Sequence, residues 1–286
     1  MKLQIIKNRK KFYLLSAIIL IIGIGSLFVR GLNLGIDFTS GTILEIDLKQ
    51  DVPTGDVRAI VNEMDLTQEP VVRKLGESNV VQIKTETLSD DHRQSLLTKL
   101  RETYPESTLE KADLVDPIFG KELARQAFFA LLIANFLMVI YITWRFEFKF
   151  AIAAILALLH DVIVVLTVFS IAQIELNSSF VAAILLIVGY SINDTIVIFD
   201  RIRENLKRRK RGEPIEETVN YSLQQTMRRS INTSITTLLA VGSLLFLGGA
   251  TLRPFALALF VGIISGTYSS IFFASPIWVD WKKRSA

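Results

Sequence analysis

The stretch Ile187-Val-Gly-Tyr-Ser-Ile-Asn-Asp-Thr-Ile-Val-Ile-Phe-Asp-Arg-Ile-Arg-Glu-Asn205 decides how the chain is read. It starts inside an apolar run that opens near Phe180, carries Asn193 and Asp194 while still flanked by Ile and Val, and leaves through Asp200, Arg201, Arg203 and Glu204. This is the pattern of a membrane-crossing helix with a carboxylate below the surface. An ionised Asp near the middle of a span costs about 2.5–3.5 kcal/mol on insertion scales, and such residues usually face a bundle interior and mark ion or proton paths. Asp194 is therefore read as a proton-binding site. The alternative, a capping or snorkelling carboxylate, fits a short side chain well below the interface poorly.

Working outward, the whole chain has the composition of a polytopic membrane protein. Half of its 286 residues are hydrophobic, too many for an ordinary soluble domain, and the length suffices for several spans and one small globular insert. The net charge is +4, but Lys and Arg gather in short segments bordering apolar runs, which points to orientation in a bilayer and not to nucleic-acid binding. The absence of cysteine excludes disulfides and thiolate metal sites. There is no GxxxxGK[ST] loop, so ATP is not this chain's energy source.

Lys7, Arg9, Lys10 and Lys11 precede an apolar run from Phe12 to Val29, long enough to cross a hydrocarbon core of about 30 Å. It ends in Val29-Arg30-Gly31 without a small-x-small cleavage site, so it reads as an uncleaved signal-anchor. Five further spans fit the remainder, at about 123–143, 150–171, 180–199, 231–247 and 255–274. Basic residues flank alternate connections: Arg145 and Lys149, then Arg201 to Arg211 with Arg228 and Arg229, then Lys282, Lys283 and Arg284. The positive-inside rule places these, and both termini, in the cytoplasm and the globular insert outside.

The insert, about 42–115, shows alternating period-two and period-3.6 patterns. Leu44, Ile46 and Leu48 alternate with Glu45 and Asp47 as in a half-buried strand, and Val57, Ile60, Val61 and Met64 share one helix face. Two strands, 71–75 and 80–85, flank turn residues Gly76, Ser78 and Asn79. A helix capped by Ser89 buries Leu96, Leu97 and Leu100, and 108–115 is a last strand. The order βαββαβ is the ferredoxin-like arrangement, with one sheet face left open to a partner. His92, with no second His or Cys near, is read as solvated. The organisation expected is a terminus and first span at 1–30, the external domain and linkers at 31–122, three spans at 123–200, a basic cytoplasmic loop at 201–230, two spans at 231–275 and a cytoplasmic tail at 276–286.

Other polar residues lie within the apolar runs. His160 and Asp161 sit near the middle of the third span, roughly 18 Å along the helix from Lys149, while Asp194 is roughly 10 Å from Arg201, so the carboxylates lie at different depths. They read either as relay steps or, for His160 and Asp161, as structural hydrogen-bonding anchors. Asn193 is a supporting amide. Thr233, Thr236 and Thr237 share a helix face suited to polar contacts or a water file. Gly262, Gly266 and Ser270 form a small-xxx-small stripe on the last span that reads as helix packing.

The Ile187–Asn205 stretch resembles the fourth membrane helix of the SecF family, the smaller partners in SecDF protein-export motors of the RND superfamily, where GYSxNDTxVxxDRIREN is typical; Gly189, Tyr190, Ser191, Asn193, Asp194 and Thr195 all match. Gly35, Asp37, Phe38, Thr39 and Gly41 resemble the family's GxDFTGG motif, with Ser40 where glycine is usual. Residues 116–123 resemble its GPxVGxEL linker, with Asp116 and Phe119 as departures. Arg229 matches the arginine of an RTxxTSxTT stretch.

The resemblance implies half of a twelve-helix assembly in the bacterial cell (inner or plasma) membrane. It also implies SecD as partner, association with the SecYEG channel and SecA, and action on translocating unfolded polypeptide. In that family the Asp and Arg are associated with coupling to the proton-motive force, with H+ or Na+ as the ion. No cofactor or enzyme activity is expected. Two other readings stand beside it: half of an RND-type small-molecule or lipid exporter, and an intramembrane aspartyl protease using Asp161 and Asp194. The flanking residues Leu159-His160-Asp161 and Ile192-Asn193-Asp194 lack the protease settings of Tyr-Asp and Gly-x-Gly-Asp.

Overall fold

A computed structural model describes residues 4–64, 66–75 and 78–284. It divides into two compact units, one of residues 34–128 and one of residues 1–33 with 129–286.

In the smaller unit, a short helix α2 (Ile36–Thr39), following α1 of the larger unit, leads into β1 (Gly41–Asp47), α3 (Thr54–Asn62), β2 (Val71–Lys74), β3 (Val80–Thr85), α4 (Asp90–Thr103) and β4 (Thr108–Val115). The sheet order is β2-β3-β1-β4, antiparallel at every junction, which is the expected ferredoxin-like topology. Leu44, Ile46 and Leu48 project to the face that Val57, Val61, Leu96 and Leu100 cover, and all of these are buried. The other face is polar, with Glu45 accepting a 3.0 Å hydrogen bond from Gln82 Nε2 across the β1–β3 ladder. Ser89 caps α4 by accepting from the His92 backbone N–H, and its hydroxyl meets the exposed His92 ring at Nδ1, 2.7 Å away. Gly76, expected in the β2–β3 turn, lies outside the described residues.

Ser40 adopts φ +64° and ψ 169°, a conformation natural to glycine, and Gly41 follows at φ +132°. The serine at the motif's usual glycine position thus carries backbone strain. Residues 116–123 form no free linker. Asp116 Oδ1 accepts the Ile118 N–H at 2.8 Å, so the acid that replaces glycine caps the helix α5 (Pro117–Arg145).

The larger unit holds α1 (Arg9–Arg30), most of α5, α6 (Phe148–Ala172), α7 (Ser178–Lys207), α8 (Ile215–Leu247) and α9 (Arg253–Ser269), the last continuing through a π-helical turn, Ser270–Ala274, into α10 (Ser275–Arg284). Counting α9 to α10 as one, six helices among the described residues are long and apolar enough to cross a membrane. Pro276, with no N–H to offer a preceding carbonyl, stands just beyond the π turn and accounts for the local loss of the α pattern. The helices α6, α7 and α9 form the interior. The others surround it: α1 lies on α6, where Gly23 receives Thr167 and Ser26 hydrogen-bonds Ser170 at 2.8 Å, and α8 packs on α7 and α9. Much of α5 is apolar and open, with Phe136 64% and Trp144 84% exposed.

Residues 201–230, expected as a basic loop, are helical except for 208–214. The difference has a local cause: Glu216 and Glu217 open α8 behind Pro214, a helix start that the flanking arginines obscure.

Candidate functional site

Two polar centres lie in the larger unit, one fully buried and one half-buried. The first is Asp161, 0% exposed on α6. Ser265 Oγ donates to its Oδ1 at 2.7 Å, and Ser191 and Ser269 donate to Oδ2, each also at 2.7 Å. His160 Nδ1 lies 3.2 Å from Oδ1, while His160 Nε2 is buried without a hydrogen-bond partner. The His160 ring is flanked by Phe273 and Tyr268, with centroids at 5.0 and 6.0 Å. Three serines from two helices therefore converge on one carboxylate of a third. Their hydroxyls satisfy acceptor oxygens that would otherwise be buried without partners.

The small-residue stripe explains how α7 and α9 come close enough. A Cβ on Gly262 would strike Ile187, one on Gly266 would lie 3.0 Å from Ser191 Cβ, and one turn on Ser270 Oγ meets Thr195 Oγ1 at 2.8 Å. Positions 187, 191 and 195 thus face 262, 266 and 270 in parallel register, each step one helical turn. The glycines act in packing within the chain, as read from the sequence, and they deliver Ser191 to Asp161.

The second centre is Asp194. Ser230 on α8 donates to its Oδ1 at 2.5 Å, and its Oδ2 is buried with no hydrogen-bond partner among the described residues. One turn back, the Tyr190 hydroxyl donates to Ser234 Oγ at 3.3 Å, and Ser234 meets Thr267 Oγ1 at 2.6 Å. These contacts tie α7, α8 and α9 together around the acid. Gly189 has open space where a side chain would stand.

Not every expected group converges. Among the described residues Arg229 is exposed and no ion pair joins it to Asp194. Asn193 is exposed on α7. The hydroxyls of Thr233, Thr236 and Thr237 are turned back to carbonyls of their own helix: Thr233 to Arg229, and the other two to Thr233, each at 2.9 Å. No hydrogen bond among the described residues links Asp161 to Asp194, and the two share no ligand. The serines Ser230, Ser265 and Ser269 were not singled out from the sequence. Serine within an apolar run carries no motif, and the available signal is the i, i+4 spacing of Ser265 and Ser269 on a span that must face an acid.

The described residues contain no cluster of His, Cys, Asp and Glu able to hold a metal ion. The motif Gly35–Gly41 lies in the smaller unit, where Asp37, Phe38 and Thr39 form α2 and Thr39 Oγ1 donates to the Gly35 carbonyl at 3.0 Å. A Cβ on Gly41 would collide with the Thr85 carbonyl oxygen, so glycine is required there by space as well as by φ.

Comparison with known proteins agrees with this architecture. Residues 95–284 match the family described as "Protein export membrane protein SecD/SecF, C-terminal", and residues 25–52 match the "SecD/SecF GG Motif". The chain is 43% identical over 291 aligned residues to the protein translocase subunit SecF of Alicyclobacillus acidocaldarius, covering 99% of this chain and 94% of that one. It is 40% identical to SecF of Sebaldella termitidis, covering 97% and 91%. It resembles the crystal structure of SecDF from Thermus thermophilus with a TM-score of 0.91 and 38% identity, covering 99% of this chain but 39% of that longer one. With near-full-length identity to SecF subunits, six apolar helices and both family motifs in place, this multi-pass membrane chain belongs to the SecD/SecF family of protein export membrane proteins.

Proposed function

We propose that this chain is the SecF-type half of a SecDF assembly that uses the proton-motive force to promote Sec-dependent protein translocation. It pairs with a SecD-type partner supplying six further helices, in the bacterial cell membrane, with both termini cytoplasmic and the ferredoxin-like domain outside. The assembly works beside the SecYEG channel after SecA, and its external domains hold or draw the emerging unfolded polypeptide. The coupling ion is a proton, with sodium as the alternative.

Asp194 carries this reading. Its Oδ1 is engaged by Ser230 and its Oδ2 has no hydrogen-bond partner, in the middle of an apolar helix. A carboxylate held by a donor on one oxygen, with the other buried and left without a donor, can take a proton on that second oxygen without breaking the Ser230 contact. Arg229, unpaired with Asp194 in this arrangement, supplies the second state, in which an ionised Asp194 draws the guanidinium and a neutral one releases it. One charge crossing the membrane potential is worth about 2.3 kcal/mol per 100 mV, enough to bias a two-state helix contact on each cycle.

The test is export of a secretory protein into membrane vesicles with and without an imposed proton gradient. The wild-type chain with its SecD partner should respond to the gradient, and Asp194→Asn and Arg229→Ala should not. If all three respond alike, the coupling assignment fails. Repeating the comparison with a sodium gradient separates the two ions.

A further inference from the structure

Where α5 ends and α7 passes its last apolar turn, a groove of about 480 Å³ opens on the larger unit. Arg145, Arg201, Arg203, Lys207 and Arg229 line it, against the carboxylates of Asp200 and Glu204, leaving an excess of three positive charges (five less two).

The acids are already engaged. Asp200 Oδ1 takes Arg203 at 3.1 Å and Arg145 at 3.4 Å. Glu204 takes Arg201 on one oxygen at 2.7 Å and Arg208 on the other at 3.1 Å. Lys207 and Arg229 form no ion pair among the described residues.

Two of the guanidinium groups are also fixed in place. Arg145 and Arg203 lie over the Phe146 ring at 5.4 and 5.2 Å, and Arg203 Nη1 donates to the Arg145 carbonyl at 2.9 Å. Their order is established before any ligand arrives, which removes much of the entropy cost of gathering long side chains around an anion. Trp144, 84% exposed beside Arg145, is an aromatic side chain of the type that settles at the membrane interface. The groove therefore lies at headgroup depth.

We propose that this groove binds the phosphate of an anionic phospholipid, with Arg145 and Arg203 as the rigid wall and Lys207 as the free cation that closes on the ligand. Phosphate chemistry suits the site because guanidinium forks match phosphate oxygens in pairs and the two local carboxylates leave charge uncompensated. Lipid is the expected source, because the groove borders apolar helix surface at the interface. A free phosphate is the competing source of the same chemistry. Arg229 lines the groove and also serves the proposed coupling, so the test rests on Lys207 and Arg145, which that coupling does not use.

The experiment is native mass spectrometry of the full chain released from uncharged detergent, with phosphatidylglycerol, phosphatidylcholine or inorganic phosphate added. Retention of phosphatidylglycerol is expected to exceed that of phosphatidylcholine by at least about tenfold, and Lys207→Gln to weaken it roughly fivefold. Lys207→Gln with Arg145→Gln should bring it near the phosphatidylcholine level. Lys210→Gln with Arg211→Gln, equally basic and outside the groove, should leave retention unchanged. Specific retention of inorganic phosphate alone, lost in Lys207→Gln, keeps the anion site and assigns it a soluble ligand. Equal retention of the two lipids with no phosphate adduct overturns the proposal, as does an equal loss in the Lys210/Arg211 variant, which would show diffuse surface attraction.

Discussion

Ser191 donates a 2.7 Å hydrogen bond to Oδ2 of Asp161, from α7 to α6, and does so because Gly266 of α9 leaves room for it. Ser191→Ala removes one of three serine donors from the fully buried Asp161 side chain and should destabilise the helix bundle by about 1–3 kcal/mol, the range for leaving a buried polar group short of a partner. Asp161→Ala leaves the three serines without their common acceptor and should cost more than Ser191→Ala. Thermal unfolding of the purified chain in detergent measures both. An unchanged midpoint for both variants would show that the cage is not a structural tie.

Gly262→Ala places a Cβ into the Ile187 side chain, with Cγ1 at 2.5 Å, and neither helix can back away without loosening the Ser191 contact one turn on. A cost of about 1–3 kcal/mol is expected for such overpacking. Ile187→Ala removes the obstructing atoms. The double variant should then be more stable than the sum of the single losses, a coupling that a double-mutant cycle detects. Strict additivity would mean that the two positions do not touch.

The spans were legible in the sequence because each is an apolar run of sufficient length, and the ferredoxin-like order because Leu44, Ile46 and Leu48 alternate while Val57 and Val61 recur at helical spacing. Asp194 and Asp161 were legible as acids in apolar surroundings. Their partners were not, because a donor's identity depends on which helices adjoin, and Ser230 lies 36 positions from Asp194 while Ser269 lies 108 from Asp161. The α8 start was hidden by charge and polarity, since the face it buries beyond Pro214 alternates Val219 and Leu223 with Thr218, Ser222 and Thr226 and forms no apolar run. Arg229 illustrates a different limit: its motif position is read from the sequence, but its exposed side chain, with no ion pair to Asp194 among the described residues, is not.

Ser40 sits at φ +64° and ψ 169°, a region essentially reserved for glycine that costs other residues on the order of 1–3 kcal/mol. Ser40→Gly should relieve that strain and, after the extra chain entropy of glycine, add about 1 kcal/mol of stability. Gly41→Ala should do the opposite, because its Cβ meets the Thr85 carbonyl. Hydrogen exchange of β1 amides in the full chain reads both effects. Slower exchange in Ser40→Gly and faster exchange in Gly41→Ala is the expected pair, and faster exchange in Ser40→Gly would show the serine to be stabilising.

Asp47 at the end of β1 gives the external domain a pH-dependent contact. The Lys49 ammonium donates to its Oδ2 at 2.6 Å and the Lys49 backbone N–H to its Oδ1 at 2.8 Å, and in that order they hold the carboxyl below its usual range. A carboxyl lowered on folding contributes stability above its unfolded pKa and loses it as pH falls through the folded value. Because the Lys49 ammonium is exposed and Asp47 is half-buried at the sheet end, the contribution is small and screened by salt. A carbon-13 titration of the Asp47 carboxyl should give a midpoint under the ordinary Asp value of about 3.9. Lys49→Ala should move it upward, toward that value, by removing the ammonium while keeping the backbone donor. A midpoint that stays in place would mean that the backbone N–H alone sets the shift, and that the Lys49 side chain makes no lasting contact in solution.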